Sequence, residues 1–247
     1  MKIAVMSDIH GNMEALEEVL QDIKKQSCDK IFCLGDYAMA GPEPAKTIDR
    51  IIRLQKEEKA VLIQGNTDLM IANYSDLIYK KIKEAAPVMA EALKDDSNLL
   101  NDAQKKFLSE LPPQIKIEEE GIKILLVHGS PRKNDENIFP DTSMVEIEAM
   151  LDDVDADIVL CGHTHIPCGF QTSKSITVVN AGSVGRPFTK NPDACYLLLN
   201  INNGKVMFEH RNLKYNNLSA SQKLLKRNFN GKEKLANMLI TPTERHF

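Results

Sequence analysis

No apolar run in this chain reaches the ~18 residues that a helical membrane span requires, which excludes an integral membrane protein of that kind. The first strand-like segment begins at Lys2, and no charged n-region, apolar h-region or cleavage site stands ahead of it. Cysteine is scarce and scattered: Cys28, Cys33, Cys161, Cys168 and Cys195 are odd in number and form no CxxC pair. Neither a disulfide framework nor a cysteine-rich zinc site is therefore indicated, and a reduced, cytoplasmic setting is expected. Positive charge is not in excess either. Lys and Arg total 31 against 35 Asp and Glu, a formal net charge of −4. Stable nucleic-acid binding is not expected without a basic face to displace counterions from phosphates. Internal repeats, low-complexity segments and linkers are also lacking. The 247 residues, 43% of them hydrophobic, suit one globular domain over 1–247.

Apolar runs alternate with amphipathic stretches from the start. Ile3–Met6 reads as a buried strand. Asn12 then stands as a helix N-cap ahead of Ala15, Leu16, Val19, Leu20 and Ile23 at helical spacing. Ile31–Leu34 and Ala60–Ile63 read as the next strands, separated by a helix that Pro44 opens. Strand–helix–strand–helix–strand with short connections predicts right-handed crossovers and a parallel sheet. The stretch 69–111 reads as a helical insertion in two or three pieces, with breaks at Pro87 and at Asp95-Asp96-Ser97-Asn98. It is longer than a crossover needs, and offers a substrate-selecting cap or a homo-oligomer surface. After Pro112-Pro113, strands are expected at 115–117, 122–127, 158–161, 176–179, 196–201 and 206–209, with a short helix at 144–151. Gly121 and Asn202-Asn203-Gly204 mark hairpin turns. The tail, about 219–247, alternates Lys with Leu as far as Leu239 and is expected to lay a helix pair on the outside.

Only six histidines occur, and four of them, His10, His128, His163 and His165, sit in three tight motifs. Each motif directly follows an apolar strand, as do Asp8, Asp36 and Asn66. In open α/β sheets the loops converge at the carboxyl ends of the strands. Five strands would thus bring seven ligand-type side chains to one rim. Asp, His and Asn without thiolates make a borderline-to-hard donor set that suits Mn²⁺, Fe, Zn²⁺ or Mg²⁺. Seven ligands exceed the need of one tetrahedral ion and fit two ions sharing a carboxylate. Two such ions ~3.5–4 Å apart clamp a phosphoryl group and turn a bridging water into a hydroxide nucleophile.

Asp8-x-His10, Gly35-Asp36, Gly65-Asn66, His128-Gly129 and Gly162-His163-Thr164-His165, in this order, resemble the calcineurin-like metallophosphoesterases over about 1–211. Asn180-Ala181-Gly182-Ser183-Val184-Gly185-Arg186-Pro187 resembles the bacterial phosphodiesterase-like branch. The resemblance implies an α/β fold: a four-layer αββα sandwich of two mixed sheets flanked by helices. It also implies that Asp8, His10, Asp36 and His165 hold one metal, and that Asp36, Asn66, His128 and His163 hold the other. Asp36 then bridges, and Asp36, Asn66 and His128 are the catalytic set. The cofactors implied are two divalent ions, Mn²⁺ foremost, with Fe, Zn²⁺, Ni²⁺ or Mg²⁺ as alternatives.

Asn12, Thr67 and Arg186 are candidates for contact with a small phosphoester. Many family members carry a substrate-contacting His where this chain has Thr67, a poor acid for protonating a leaving oxygen. Asp68 beside it is read as the cap of a helix beginning at Leu69. Arg132 and Lys133 are expected on a solvated loop, Cys161 in the core, Met70, Met89 and Met144 as filler, and His210 and His246 away from the site. The expected activity is metal-dependent hydrolysis of phosphodiesters or activated phosphomonoesters. Alternatives are a nucleotide-directed hydrolase of dinucleoside polyphosphates, a protein phosphatase, or a non-catalytic scaffold like the retromer subunit that resembles this fold. A scaffold predicts missing ligands; here all seven are present.

Overall fold

The computed structural model describes residues 1–241 and 243. In chain order its elements are β1 (Lys2–Met6), α1 (Met13–Lys25), β2 (Lys30–Cys33), α2 (Pro44–Glu57), β3 (Val61–Leu62), α3 (Asn66–Ala72), α4 (Asp76–Ala85), α5 (Pro87–Leu99), α6 (Asp102–Glu110), β4 (Gln114–Glu119) and β5 (Ile122–Val127). There follow α7 (Met144–Met150), β6 (Ile158–Cys161), β7 (Cys168–Gln171), β8 (Thr177–Asn180), β9 (Ala194–Asn202), β10 (Lys205–Leu213), α8 (Asn217–Leu225) and α9 (Lys232–Met238). None of the described helices is long and apolar enough to cross a membrane.

Strand alternation builds the layers. In β1, Ile3 and Val5 face one side and join Phe32, Leu34, Ile124, Leu126, Ile158, Leu160, Leu197 and Leu199 in a core between two sheets. Ala4 and Met6 face the other side and meet Leu16 and Val19 of α1 and Ile48 and Ile51 of α2. The first sheet runs β10-β9-β1-β2-β3, with β1, β2 and β3 parallel and β9 and β10 antiparallel. The second runs β4-β5-β6-β8-β7, parallel from β5 through β8 and antiparallel at both edges. Leu125, Val127, Val159 and Cys161 point outward from it onto Ile147 and Met150 of α7. The result is the four-layer αββα sandwich of two mixed sheets.

The insertion differs in detail from the sequence reading. It is four helices, with an additional break at Asn73–Ser75, where Ser75 caps α4. Asp95–Asn98 is no break but the last turns of α5. Asp96 and Ser97 are buried there, and Asp96 accepts a hydrogen bond from the Ala40 amide at 2.9 Å. The polar residues serve a contact between distant segments, which composition alone reads as a loop. The tail also differs. Ala220, Leu224, Leu235, Ala236 and Leu239 are buried in the core over the first sheet. Arg227 fastens that tail by donating to the Gly41 carbonyl at 2.6 Å and to Asp95. β7 lies in a stretch read as loop, because four residues give too little alternation to stand out. His246 lies outside the described residues.

Candidate functional site

Five loops meet where β1, β2, β3, β5 and β6 end, and each delivers its predicted residues to one buried cluster. Asp8 and His10 follow β1, Asp36 follows β2, Asn66 opens α3 after β3, His128 follows β5, and His163 and His165 follow β6. Asp8, His10, Asp36, His163 and His165 all have positive φ, between 48° and 65°. That left-handed backbone is uncommon for residues other than glycine and costs on the order of 1–3 kcal/mol each. The surrounding packing holds these five residues in conformations that turn their side chains inward.

The imidazoles are oriented from behind. His10 Nδ1 lies 3.2 Å from the Ala38 carbonyl and 3.0 Å from that of Met39. His165 Nδ1 lies 2.6 Å from the Arg186 carbonyl, and His128 Nδ1 lies 2.7 Å from that of Leu34. Carbonyls only accept, so each Nδ1 carries a proton, and each ring, when neutral, presents a lone pair at Nε2. Yet His10 Nε2 and His165 Nε2 face each other at 3.1 Å. Asp8 Oδ1 lies 3.2 Å from His165 Nε2 and 3.9 Å from His10 Nε2, fully buried and without a hydrogen-bond partner. Lone pairs turned on one another around an orphaned carboxylate oxygen fit a cation between them. On the other side, His128 Nε2 is 3.0 Å from Asn66 Oδ1 and 3.4 Å from Asp36 Oδ2. Asp36 Oδ2 is also 3.7 Å from His10 Nε2, so it stands between the two groups. Asp8, His10 and His165 form one set of donors close enough for an ion, and Asp8, Asp36 and His128 form another.

The charges agree with that arrangement. Burial opposes ionisation of Asp8, yet His165 and His128 hold its pKa down to about 2. Burial likewise opposes charge on Asp36, and His128 and His10 outweigh it, keeping the carboxyl below its ordinary range. Burial and the charge of neighbouring His165 push His10 down to about 4; burial and His128 do the same to His163. His128 is the exception. Burial works against its charge, but Asp36 and Asp8 raise it to about 10. His163 stands edge-on to the His128 ring, with centroids 5.3 Å apart, and its amide donates to Asp8 Oδ2 at 2.9 Å.

Several supporting residues carry no motif. Asp68 is not the N-cap of a helix beginning at Leu69, because the helix starts at Asn66 and Asp68 is its third residue. Its carboxylate accepts from the amides of Gly65, Asp36 and Tyr37 at 2.9, 2.8 and 3.0 Å, tying the Asp36 loop to α3. Burial and the adjacent Asp36 raise it to about 7. The Thr67 amide donates to Asp36 Oδ1 at 2.9 Å. Ser183, within the segment 180–187, donates to the Asp8 carbonyl at 2.8 Å. Asn12 is the N-cap of α1, accepting from the Ala15 amide and donating to the Gly185 carbonyl and the Tyr215 hydroxyl. It is fully buried behind the site, so the expected substrate contact is corrected to a structural support. Asp68 and Ser183 act on residues far away in sequence, which no local pattern reveals.

Thr67 and Arg186 do line the mouth, a cavity of about 240 Å³ over His10, Asp36, Asn66, His163 and His165. Phe188 stacks on His165 with centroids 4.7 Å apart, and the Arg186 guanidinium lies 5.6 Å from the Phe188 centroid. Arg132 pairs with Glu136 on an exposed loop, and His210 bonds the Asn180 carbonyl, both away from this cavity. Gly65 is obligatory here: a Cβ would lie 2.1 Å from Asp36 Oδ1 and 2.3 Å from the Asp36 amide nitrogen. Gly65→Ala is expected to cost about 1–3 kcal/mol of stability by overpacking and to weaken any divalent-metal binding at Asp36 about tenfold or more as that carboxylate is displaced. Thermal unfolding and metal titration check this; unchanged affinity would show that the position of Asp36 is immaterial.

Comparison with known proteins agrees with the geometry. The profile of the calcineurin-like phosphoesterase superfamily domain matches residues 1–204. An uncharacterized protein of Methanocaldococcus jannaschii is 30% identical over 243 residues, covering 91% of this chain and 92% of that one. Phosphodiesterase YfcE of Escherichia coli is 24% identical over 208 residues, 81% of this chain and 88% of its own. The crystal structure of a hypothetical protein from Pyrococcus horikoshii superposes with a TM-score of 0.84 at 25% identity, over 99% of each chain.

Proposed function

Because the chain belongs to the calcineurin-like phosphoesterase superfamily, we propose that it is a binuclear metal-dependent hydrolase of phosphodiesters or activated phosphomonoesters. The observation that carries this reading is the facing pair of His10 and His165 lone pairs beside the orphaned Asp8 oxygen. Asp8, His10, Asp36 and His165 would hold one ion, and Asp36, Asn66, His128 and His163 the other. The position of Asp36 Oδ2 between His10 and His128 supports its bridging role. When bound, two divalent ions supply Lewis acidity toward the phosphoryl oxygens and an acidified water. The chain's own residues do the rest. The backbone carbonyls behind His10, His128 and His165 keep each Nδ1 protonated and each Nε2 available. Arg186, at the mouth, matches the negative charge of a phosphoryl group with a bidentate fork. Thr67 fixes the Asp36 carboxylate through its amide. A complete donor set argues against a scaffold. The name of the Escherichia coli relative favours diesters. Donors without thiolate suit Mn²⁺, Fe, Zn²⁺ or Mg²⁺, and five free cysteines suit the cytoplasm.

Metal-free protein titrated with Mn²⁺ is expected to bind two ions per chain and to hydrolyse aryl phosphodiesters only when loaded. Calorimetry with elemental analysis gives the stoichiometry. A panel of aryl diesters, aryl monoesters, nucleotides, dinucleoside polyphosphates and phosphopeptides gives the activity. A single ion per loaded, active chain would reject the binuclear reading.

A further inference from the structure

A groove of about 530 Å³ runs between α3 and α4, and it opens beside the cavity over the candidate metal ligands. Leu69, Met70, Ile78, Ile82 and the Ala85-Ala86 pair line it, and Asn73 and Lys81 are its polar members. Met70 and Ile82 line both spaces, so the two adjoin. We propose that this groove holds the hydrocarbon part of the substrate alcohol, so that the preferred substrates are phosphoesters of apolar alcohols. The inference rests on the phosphoesterase reading and specifies its substrate class.

The physical case has three parts. The cavity over the ligands, at about 240 Å³, is smaller than the ~300–1,000 Å³ usual for a site that encloses a whole small molecule. It does not enclose a whole organic phosphoester, so the far part of a larger organic group extends into a neighbouring space. The wall shared by Met70 and Ile82 directs that part into the groove. Second, the groove offers its occupant almost no hydrogen-bonding groups. A sugar or peptide would surrender its water there without replacement, whereas an alkyl chain or aromatic ring gains by leaving water. Third, α4 has no buried residue, and Leu69 is 40% exposed. Met70, Ile78 and Ile82 pack against the core only in part, so this wall keeps apolar surface for an occupant, and Met70 adds a flexible thioether that adapts to different hydrocarbon shapes.

The test uses Mn²⁺-loaded protein and the series methyl-, butyl- and hexylphosphonate, with Kd measured by calorimetry. Each methylene fully buried in the groove should tighten binding by up to about fourfold, so hexylphosphonate, with about five more methylenes, is expected to bind at least about tenfold tighter than methylphosphonate. Ile78→Asp, and independently the surface change Ala85→Glu, should flatten that dependence on chain length. Circular dichroism confirms that each variant is folded. Equal Kd across the series would overturn the proposal, as would a length dependence that survives in both variants. Sedimentation showing a dimer that Ile78→Asp dissociates would overturn it too, since the groove would then belong to a second copy of the chain. Hydrolysis of methyl p-nitrophenyl phosphate is followed separately. A graded phosphonate series without hydrolysis supports the groove and refutes the phosphoesterase reading; hydrolysis with a flat series does the reverse.

Discussion

Asp36→Asn is expected to lower kcat/KM for the best ester of the panel by about a thousandfold or more, ~4 kcal/mol of barrier. His210→Ala should change it by less than about threefold. The first substitution keeps shape and removes charge. Asn tolerates the left-handed backbone that Asp36 adopts, so the loop should survive. Asp36 Oδ1 still finds the Thr67 amide if the new carbonyl oxygen takes its place. The other atom is then an NH₂ directed at His128 Nε2 and His10 Nε2, the two ring nitrogens that Asp36 Oδ2 now stands between. A donor there would replace the anion that the proposed pair of cations needs for balance, and would block the directions in which the imidazoles would bind them. His210 instead bonds the Asn180 carbonyl from β10, and burial lowers its pKa, so it neither reaches the cavity nor carries charge at neutral pH. Kinetics and metal content measured on both variants check the contrast. Similar behaviour of the two would remove Asp36 from the site.

The strands and the rim residues were legible because two independent signals coincide in the sequence. Apolar runs of four to six residues mark buried strands, and rare ligand-type side chains follow each of them at once. Chance seldom places His163 and His165 behind Ile158–Cys161 while placing Asp8 and His10 behind Ile3–Met6. The four layers came from the resemblance, since alternation in β1 shows that both faces are buried without showing what buries them. What stayed hidden depends on distance along the chain. Asp68 reads as a cap until the Asp36 and Tyr37 amides are seen within its reach. Asp96 reads as part of a break, and Arg227 falls in a tail read as lying on the outside, until Ala40 and Gly41 are found against them. Asn12 was legible as an N-cap by its local rule, and the inferred substrate contact failed because Gly185 and Tyr215 occupy its amide. The strained backbone at five candidate ligands is equally invisible, because no residue preference announces a conformation imposed by packing.

Thr67 leads to the second large effect, a steep fall of rate with leaving-group basicity. The Thr67 hydroxyl points to the Ala38 carbonyl at 3.4 Å, and an alcohol cannot protonate a departing alkoxide near pH 7. Other groups around the cavity do no better. Arg186 holds its proton at any ordinary pH. His10 and His163, lowered to about 4, are neutral and present lone pairs or serve as candidate ligands. Asp68, the nearest further carboxyl, is engaged by three backbone amides and faces the Asp36 loop. Negative charge therefore builds on the leaving oxygen as the bond breaks, and p-nitrophenyl esters should far outrun alkyl esters. Each decade lost along the series is ~1.4 kcal/mol of barrier. Thr67→His places an imidazole at the cavity wall, and it should flatten the slope by restoring up to about 10²–10⁴-fold on alkyl esters, the usual reach of a positioned acid. The measurement is log kcat/KM against leaving-group pKa for both proteins. The aryl and alkyl esters must be matched in hydrocarbon size, so that occupancy of the apolar groove does not masquerade as proton transfer. A shallow slope in the unmodified protein would mean that an acid acts at the leaving oxygen after all. Asp68→Asn would then separate the cases: it should steepen the slope if Asp68 is that acid, and lower all esters alike if Asp68 only holds the Asp36 loop.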